Sequence, residues 1–482
     1  MLFNSLSFLI FLPVVFCLYW FVFSRYVRLQ NIAVIVSSYI FYGWWDLHFL
    51  LLISFTGLCC WVSALGVQKG GTIAKWLTIT NVIVNLGILC VFKYYNFFMD
   101  SFVAAFASLG IQLHVVSIQF ILPVGISFYT FQALSYSLDV YKGKLQPTKD
   151  ITTFFAYISF FPQLLAGPIA RATALLPQFQ QKRIFEYSKV VDGLRQILWG
   201  FFKKFVVADN CAKIVDLVFA DYTNYSGGML ALGAVLFTFQ IYCDFSGYSD
   251  IALGIGRLFG INLMCNFNFP YFSRDIAEFW RRWHISLTTW FREYIYFPLG
   301  GSREGQWKSI RNTSIVFLVS GLWHGANWTF IVWGAYHAFL FLPLLLLKKN
   351  RKHISPMAEG KLFPSLGEFV QMSITFVAVT FGWIIFKSDS ITHAFYYISG
   401  IFNLNFFDFS LHAVKGASLV IAIFAVVFLM TVEWVQRDRQ YALENLGLQW
   451  KRPLRWTFYA GLLFLIGMYM ETSESPFIYF QF

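Results

Sequence analysis

The sequence predicts an all-α, polytopic membrane protein, and both its composition and the spacing of its charges indicate this fold class. Of the 482 residues, 58% are hydrophobic and only 12% are charged, whereas soluble domains carry about 25% charged residues. Apolar runs long enough to cross about 30 Å of hydrocarbon recur along the chain. A single membrane-embedded domain, residues 1–482, accounts for the whole sequence.

The apolar runs are the candidate spanning helices. They cover residues 5–23, 29–45, 47–67, 76–97, 116–137, 151–170, 227–243, 313–347, 366–386, 416–436 and 456–470. The run 313–347 contains no Asp, Glu, Lys or Arg and is too long for one span. Gly321, Gly325 and Ala326 predict a break in its first third, because glycine weakens a helix interior.

Two segments in the middle of the chain do not fit a simple alternation of spans. Residues 151–170 have Lys149 on one side and Arg171 on the other, which favours a re-entrant segment over a span. Residues 183–209 are amphipathic and basic, so we expect them to lie in the membrane interface.

Positive charge predicts the orientation, because Lys and Arg collect on cytoplasmic loops. Arg25 and Arg28 follow the first run, which places the N-terminus outside. The loop 437–455 is strongly basic, so the last run is expected to lead outward and to leave the residues after it at the extracytoplasmic face. The same rule explains the net charge of +12 without a nucleic-acid partner; membrane lipids are the expected surroundings.

The sequence gives no support for a metal site. All seven cysteines lie in or beside apolar stretches at no metal-ligand spacing, which is typical of packing residues. No HExxH or CxxC motif and no carboxylate triad occurs. We therefore expect neither a metal nor a bound cofactor.

Three clusters contain residues capable of chemistry, and the first is basic and aromatic, FWRRWHISLTTWFREYIYFPLGGSREG at 279–305. On a helix through this cluster, Trp280, His284 and Leu287 would share one face, with Arg281 and Arg282 beside it. An interfacial helix with an aromatic belt would explain the charges. It does not explain an imidazole on the apolar face, so His284 is a candidate site residue.

The second cluster, SGLWHGANWTFIVW at 320–333, lies inside the longest uncharged run. About twelve helical residues after the basic loop 303–311 rise about 18 Å, which puts His324 near the middle of the bilayer. Ionisable residues at that depth are costly and indicate function. The alternative is a packed, hydrogen-bonded histidine. Trp323 and Asn327 are close enough in sequence to shape a site or to stabilise an oxyanion.

The third cluster is YCDFSGYSD at 242–250, directly after the run 227–243. Asp244 and Asp250 bracket Ser246, but the glycines of a nucleophile elbow are absent, so a nucleophilic serine has little support. An Asp at a helix end is commonly a cap. The competing interpretation is an acid that orients a histidine or pairs with an arginine.

These clusters resemble the motifs of a known family. The resemblance rests on FWRRWHISLTTWFREYIYFPLGG, GLWHGANWTF and YCDFSGYSD, together with LPVGISFYTFQALSYSLDVYKG (122–143) and FFPQLLAGPIAR (160–171). Taken in their order along the chain, these five motifs resemble the membrane-bound O-acyltransferases (MBOAT). The resemblance is strongest to the bacterial branch of alginate O-acetylases and peptidoglycan O-acetyltransferases, and the teichoic acid D-alanyl transferases are more distant.

The resemblance implies a fold and a reaction. The fold would have about eleven spanning helices with re-entrant and interfacial helices around a central funnel, a catalytic core at 118–345, and a last helix and tail at 456–482. His324 matches the essential histidine of the family, and His284 matches its second position. In the implied reaction an acyl group, expected in this branch to be acetyl, passes from a cytoplasmic thioester to an extracytoplasmic polysaccharide.

The implied participants follow from the same resemblance. Acetyl-CoA is the favoured donor, with an acyl carrier thioester as the alternative, and an extracytoplasmic SGNH-type acetyltransferase is the implied partner. A buried neutral imidazole suits the general base that activates an oxygen nucleophile. Asp244, Ser246, Arg281, Arg282, Trp323 and Asn327 are candidates for the substrate channel. The location would be the bacterial inner membrane. A transporter or flippase of envelope precursors, using the same cavity, is the alternative function.

The last seven residues, PFIYFQF, are uncharged and rich in aromatic side chains. Packing at the membrane interface, where Tyr and Phe are common, is the simpler interpretation. The ending also resembles an aromatic motif of this branch in which a tyrosine hydroxyl is proposed as an acyl relay. We therefore expect Tyr479 to accept the acyl group with help from His324 and to pass it to the partner.

Overall fold

The computed structural model describes residues 1, 3, 5–113, 118, 122–164, 167–403, 416–470 and 477. Helices form the regular structure, and no β-strand occurs among these residues. The all-α prediction is therefore confirmed. Tyr479 lies outside the described residues.

The first half of the chain contains ten α-helices among the described residues. They are α1 Leu6–Cys17, α2 Val27–Gly43, α3 His48–Val67, α4 Gly71–Ser108, α5 Ile126–Tyr141, α6 Ile151–Ser159, α7 Phe161–Leu164, α8 Ala172–Gln180, α9 Tyr187–Phe201 and α10 Asp209–Ala220. Two π-helical segments, Leu18–Val22 and Phe202–Ala208, continue α1 and α9.

The second half is also helical throughout its described part. Its helices are α11 Gly227–Leu258, α12 Ile276–Arg282, α13 Ile285–Phe291, α14 Gln306–His324, α15 Trp328–Leu346, α16 Leu366–Lys387, α17 Ile391–Ile401, α18 Gly416–Val435 and α19 Arg452–Tyr469. A π-helical segment, Arg292–Tyr296, continues α13, and 3-10 turns form at Tyr222–Asn224 and Pro270–Phe272.

Six helices in the described part of the chain are long and apolar enough to cross a membrane: α3, α4, α11, α15, α16 and α18. The apolar stretch Leu6–Val22 is shorter. The expected number of about eleven spans is thus not confirmed. In the run 151–170, α6 has only 9 residues, a rise of about 14 Å, so it does not cross the bilayer by itself.

The helices form two compact units. One comprises Met1–Val190 with Gly256–Leu263, and the other comprises Val191–Ile255 with Met264–Phe482. The first is tied together by buried polar side chains. The Asn31 side chain donates to the carbonyl of Phe179 at 2.9 Å and accepts from Arg183 at 2.8 Å. Both candidate histidines lie in the second unit.

A helical hairpin of α14 and α15 positions part of the site in the second unit. The two helices approach so closely that a Cβ on Gly321 would lie 2.2 Å from the carbonyl oxygen of Phe330. A Cβ on Gly334 would lie 2.4 Å from the carbonyl oxygen of Phe317. The predicted break in the run 313–347 is confirmed, because α14 ends at His324 and α15 begins at Trp328, with Gly325 and Ala326 between them. Gly321 does not break the run: it lies inside α14, where it allows the two helices to pack closely.

Two local predictions were wrong. The apolar run 227–243 continues as helix to Leu258, so Asp244 and Asp250 lie within α11 rather than at a helix end, and neither is a cap. A continuous helix through 279–291 does not form either. Instead α12 ends at Arg282 and α13 begins at Ile285, with Trp283 extended and His284 left-handed between them.

Candidate active site

His324 is the last residue of α14 and sits at the break in the hairpin, where its side chain is buried. The chain turns away at Gly325, where a Cβ would lie 2.1 Å from the ring of Phe330, so a side chain has no room. Asn327 then caps α15. Its side chain accepts from the backbone N–H of Thr329 at 3.0 Å and donates to the carbonyl of Asp389 at 3.0 Å.

Aromatic rings surround the imidazole of His324. The ring centroids of Trp323 and Trp333 each lie 5.0 Å from that of His324, and the ring of Phe386 lies at 5.5 Å. These contacts are edge-on. The imidazole is therefore enclosed by aromatic side chains.

His284 is also buried, and its backbone is in the left-handed region with φ 42° and ψ 54°. A residue other than glycine in this region is strained, and such strain concentrates at functional sites. Asn266 fixes the turn. Its carbonyl accepts from the N–H of Ile285 at 2.9 Å, and its side-chain oxygen accepts from the N–H of Ser286 at 3.3 Å.

The structure brings the two candidate histidines together from separate motifs. The ring centroids of His284 and His324 are 6.4 Å apart. Trp323 lies beside both rings, with its centroid 5.8 Å from that of His284. The ring of Phe245, from the third motif, meets His284 edge-on at 4.7 Å. All three sequence clusters therefore contribute to one buried site.

Asp244 and Asp250 of the third cluster pair with lysines that the sequence analysis did not identify. Lys204 lies 2.7 Å from Asp244 and 2.9 Å from Asp209. Lys203 lies 2.7 Å from Asp250 and donates to the hydroxyl of Ser246 at 3.2 Å. Lys204 is thus a partner of Asp244 that neither the cap nor the competing interpretation named.

The buried ion pairs extend to α18. The hydroxyl of Tyr242 donates to both carboxylate oxygens of Glu433 at 3.0 Å, and Lys203 lies 3.5 Å from the same carboxylate. Beside Lys203 is a small, partly open pocket that is lined also by Ser246 and Asp250. The sequence feature that could have predicted these buried ion pairs is the pair of adjacent lysines, Lys203 and Lys204, inside the apolar stretch FFKKFVV.

The arginines of the first cluster hold α12 to its surroundings. Arg281 donates to the carbonyls of Asn350 and His353, both at 2.7 Å. Arg282 lies 2.9 Å from Glu278, which also binds Arg274 at 3.0 Å. Although burial opposes ionisation, these arginines hold the pKa of Glu278 below its usual range. A substrate-channel role for Arg281 and Arg282 stays a prediction.

The segment after α19 reaches this region at Phe477, which is fully buried. Its ring centroid lies 5.6 Å from that of Phe245 and 4.6 Å from that of Tyr248. Phe477 thus contacts the same phenylalanine that packs against His284. The expected role of Tyr479 falls on a residue outside the described part of the chain.

Comparison with known proteins now identifies the family. Residues 146–381, which include both histidines, match the sequence profile of the MBOAT, membrane-bound O-acyltransferase family. The chain is 37% identical to the probable alginate O-acetylase of Pseudomonas putida, over 100% of both chains. The chain belongs to the membrane-bound O-acyltransferase family. It is accordingly an O-acyltransferase and a multi-pass membrane protein.

Two further relatives show how widely this similarity extends. The chain is 31% identical to the peptidoglycan O-acetyltransferase of Helicobacter pylori, over 100% of this chain and 98% of that one. It is 30% identical to the teichoic acid D-alanyltransferase of Bacillus subtilis, over 56% of this chain and 70% of that one. Membership of this family favours acyl transfer over the alternative of a transporter or flippase.

Proposed function

We propose that this O-acyltransferase transfers an acetyl group from a cytoplasmic thioester, with acetyl-CoA as the favoured donor, for O-acetylation of an extracytoplasmic polysaccharide. The proposal rests on one observation, the pair of buried imidazoles 6.4 Å apart at the helix break. The names of the relatives support a cell-envelope polymer or exopolysaccharide as acceptor. The bacterial inner membrane is the proposed location.

His324 acts as the general base in this proposal. It takes the proton from a hydroxyl as the oxygen attacks the thioester carbonyl, so that a C–O bond forms and the C–S bond breaks. The proton then passes to the leaving thiolate. His284, whose ring centroid lies 6.4 Å from that of His324, orients or stabilises the reacting groups. Asp244 and Ser246 support this site through their contacts with Lys204 and Lys203.

The attacking hydroxyl is proposed to be the phenol of Tyr479, which then passes the acetyl group to an SGNH-type partner at the extracytoplasmic face. The burial of Phe477 against Phe245 supports this relay, because Phe245 also contacts His284. Two residues of extended chain span at most about 7 Å. The proposed relay requires the phenol of Tyr479 to reach the site within this length of chain.

Substitutions at His324 and Tyr479 test the proposal with a membrane preparation, labelled acetyl-CoA and the partner. We expect His324→Ala to abolish labelling of polysaccharide while the protein still inserts. Tyr479→Phe keeps the ring and removes only the oxygen, so it should abolish transfer too. His337→Gln, a change at another buried histidine of the same hairpin, is the matched control.

Each result has a separate meaning. Near wild-type acetylation in His324→Ala would contradict the general base. Full activity in Tyr479→Phe would contradict the relay but leave acyl transfer to another hydroxyl in place. Labelling from an acyl carrier thioester but not from acetyl-CoA would replace the donor.

A further inference from the structure

Among the described residues after α19, Phe477 has a side chain that is buried in the core. Helix α19 ends at Tyr469, and the chain beyond it is anchored at Phe477, whose side chain is 0% exposed. Full burial of a phenylalanine side chain stabilises the folded protein about as much as burial of any other apolar side chain of its size. Such an anchor restricts where the neighbouring residues can lie.

Phe245 and Tyr248 form the surface that receives this ring, and we call these two residues the aromatic seat. They lie three residues apart on α11 and so project from one face of the helix. The distances from Phe477, 5.6 Å to Phe245 and 4.6 Å to Tyr248, lie within the range of attractive aromatic pairs. The seat therefore fits an aromatic side chain.

The seat is fixed to a neighbouring helix. A Cβ on Gly247 would lie 2.8 Å from the carbonyl oxygen of Gly200, and a Cβ on Gly200 would lie 2.6 Å from that of Gly247. The ion pair of Lys204 with Asp244 adds a second connection at 2.7 Å. Because α11 cannot shift without breaking these contacts, the seat has a defined position relative to the site.

The aromatic seat is continuous with the histidine site. The ring of Phe245 contacts Phe477 and also meets the ring of His284 at 4.7 Å and 85°. A single side chain therefore separates the anchored residue from one of the two imidazoles. Loss of the Phe477 ring would free both the anchored chain and one side of Phe245.

We propose that Phe477 binds in the aromatic seat and fixes the chain at position 477 beside His284, so that Phe477 and Tyr248 act as positioning residues for acyl transfer. The reaction that is positioned rests on the proposed function, whereas the docking itself does not. A positioning residue aligns the reacting groups after the donor has bound, so its loss lowers kcat rather than raising the KM for the donor.

Photocrosslinking tests the docking independently of activity. The photoreactive amino acid p-benzoylphenylalanine replaces Phe477 in the full-length protein in its native membrane, and crosslinked peptides are mapped by mass spectrometry. We expect crosslinks within residues 242–250. Crosslinks found only on lipid or on other helices would overturn the docking.

Kinetics test the positioning role. Phe477→Ala should lower kcat by roughly 10- to 100-fold, with the donor KM within about twofold of wild type, because misplacement by about 1 Å costs that much. Phe477→Leu keeps apolar bulk and should recover most of the activity. Phe464→Ala, at a phenylalanine of α19 that is 67% exposed, should leave kcat unchanged.

Stability measurements separate positioning from simple packing. If Phe477→Ala lowers the thermal midpoint but leaves kcat per folded molecule unchanged, the ring only packs and the inference is overturned. If His324→Ala stays active while the crosslinks still map to the seat, the proposed function fails and the docking stands.

Discussion

Individual buried charges place the strictest requirement on this chain, because each needs a counter-charge at a defined position. Lys203 and Lys204 are adjacent, both are nearly inaccessible, and each lies within ion-pair distance of carboxylates on other helices. Moving an ion out of water costs several kcal/mol, and only well-placed counter-charges offset it. The π-helical geometry of Phe202–Ala208 is common at functional sites, and here it carries both lysines into the core.

Lys204→Met is expected to destabilise the protein by about 3–5 kcal/mol, because it removes the cation between the buried carboxylates of Asp209 and Asp244. The measurement is the apparent free energy of unfolding in an SDS titration of mixed micelles. Lys189→Met is the control, since the pair of Lys189 with Glu186 is largely exposed and such pairs contribute about 0–1 kcal/mol. Equal effects of the two substitutions would refute this account.

At the scale of single residues, the sequence singled out His284 and His324 as candidate site residues but did not predict what surrounds them. His324 is recognisable because an imidazole inside a long uncharged run is costly. The lysine partners of Asp244 and Asp250 could not be predicted from the sequence. The lysines lie on a different helix, and neither motif indicates how close two helices pack. No feature of the sequence predicts the left-handed backbone of His284. This conformation interrupts the helix that was expected through 279–291.

At the scale of elements, the α14–α15 hairpin determines where His324 lies. Its glycines permit backbone-to-backbone contact, which the sequence suggested only as a break. The hairpin also shows why one long apolar run produced two helices. The cap formed by Asn327 starts α15 immediately after the break, so the chain reverses within a few residues and leaves His324 at the corner.

Gly321→Ala tests the close approach of the hairpin. The added Cβ would meet the backbone of Phe330 at 2.2 Å, so the helices must separate, at a cost of about 1–3 kcal/mol. Because His324 is in the next turn, activity should fall by roughly 10- to 100-fold. The readouts are the SDS titration and acetyl transfer.

Gly461→Ala is the matched control for this substitution. It lies in α19 with nothing within 4 Å of the added Cβ, and Ala is favoured over Gly in a helix by roughly 0.5–1 kcal/mol. Its stability should therefore rise slightly or stay the same, with activity unchanged. Full activity and stability of Gly321→Ala would show that the hairpin tolerates a wider separation.

At the scale of the whole molecule, the positive charge of the loops predicts how the chain lies in the membrane. The loop after α18 carries Arg437, Arg439 and Lys451, and these favour the cytoplasmic side. Helix α19 would then lead outward. This orientation is what the proposed transfer to an extracytoplasmic acceptor requires.

Cysteine labelling tests this orientation in a variant that lacks the native cysteines. Asp438→Cys should react with a membrane-impermeant maleimide only after the cells are opened. Ser473→Cys should react from the outside of intact cells. The opposite pattern would reverse the orientation, and the acceptor would then have to be cytoplasmic.

The sequence by itself determined the fold class, the family and the break in the long apolar run, and it singled out the two candidate histidines. These follow from local quantities: hydropathy, the cost of burying an ionisable group, and motifs that are continuous in the chain. Only the tertiary structure decided that the rings of His284 and His324 lie 6.4 Å apart, that lysines pair with Asp244 and Asp250, and that Phe477 packs on Phe245. Each of these contacts depends on how helices that are far apart in sequence pack together. Contact energy depends on the distance between side chains, and no single segment of sequence specifies that distance.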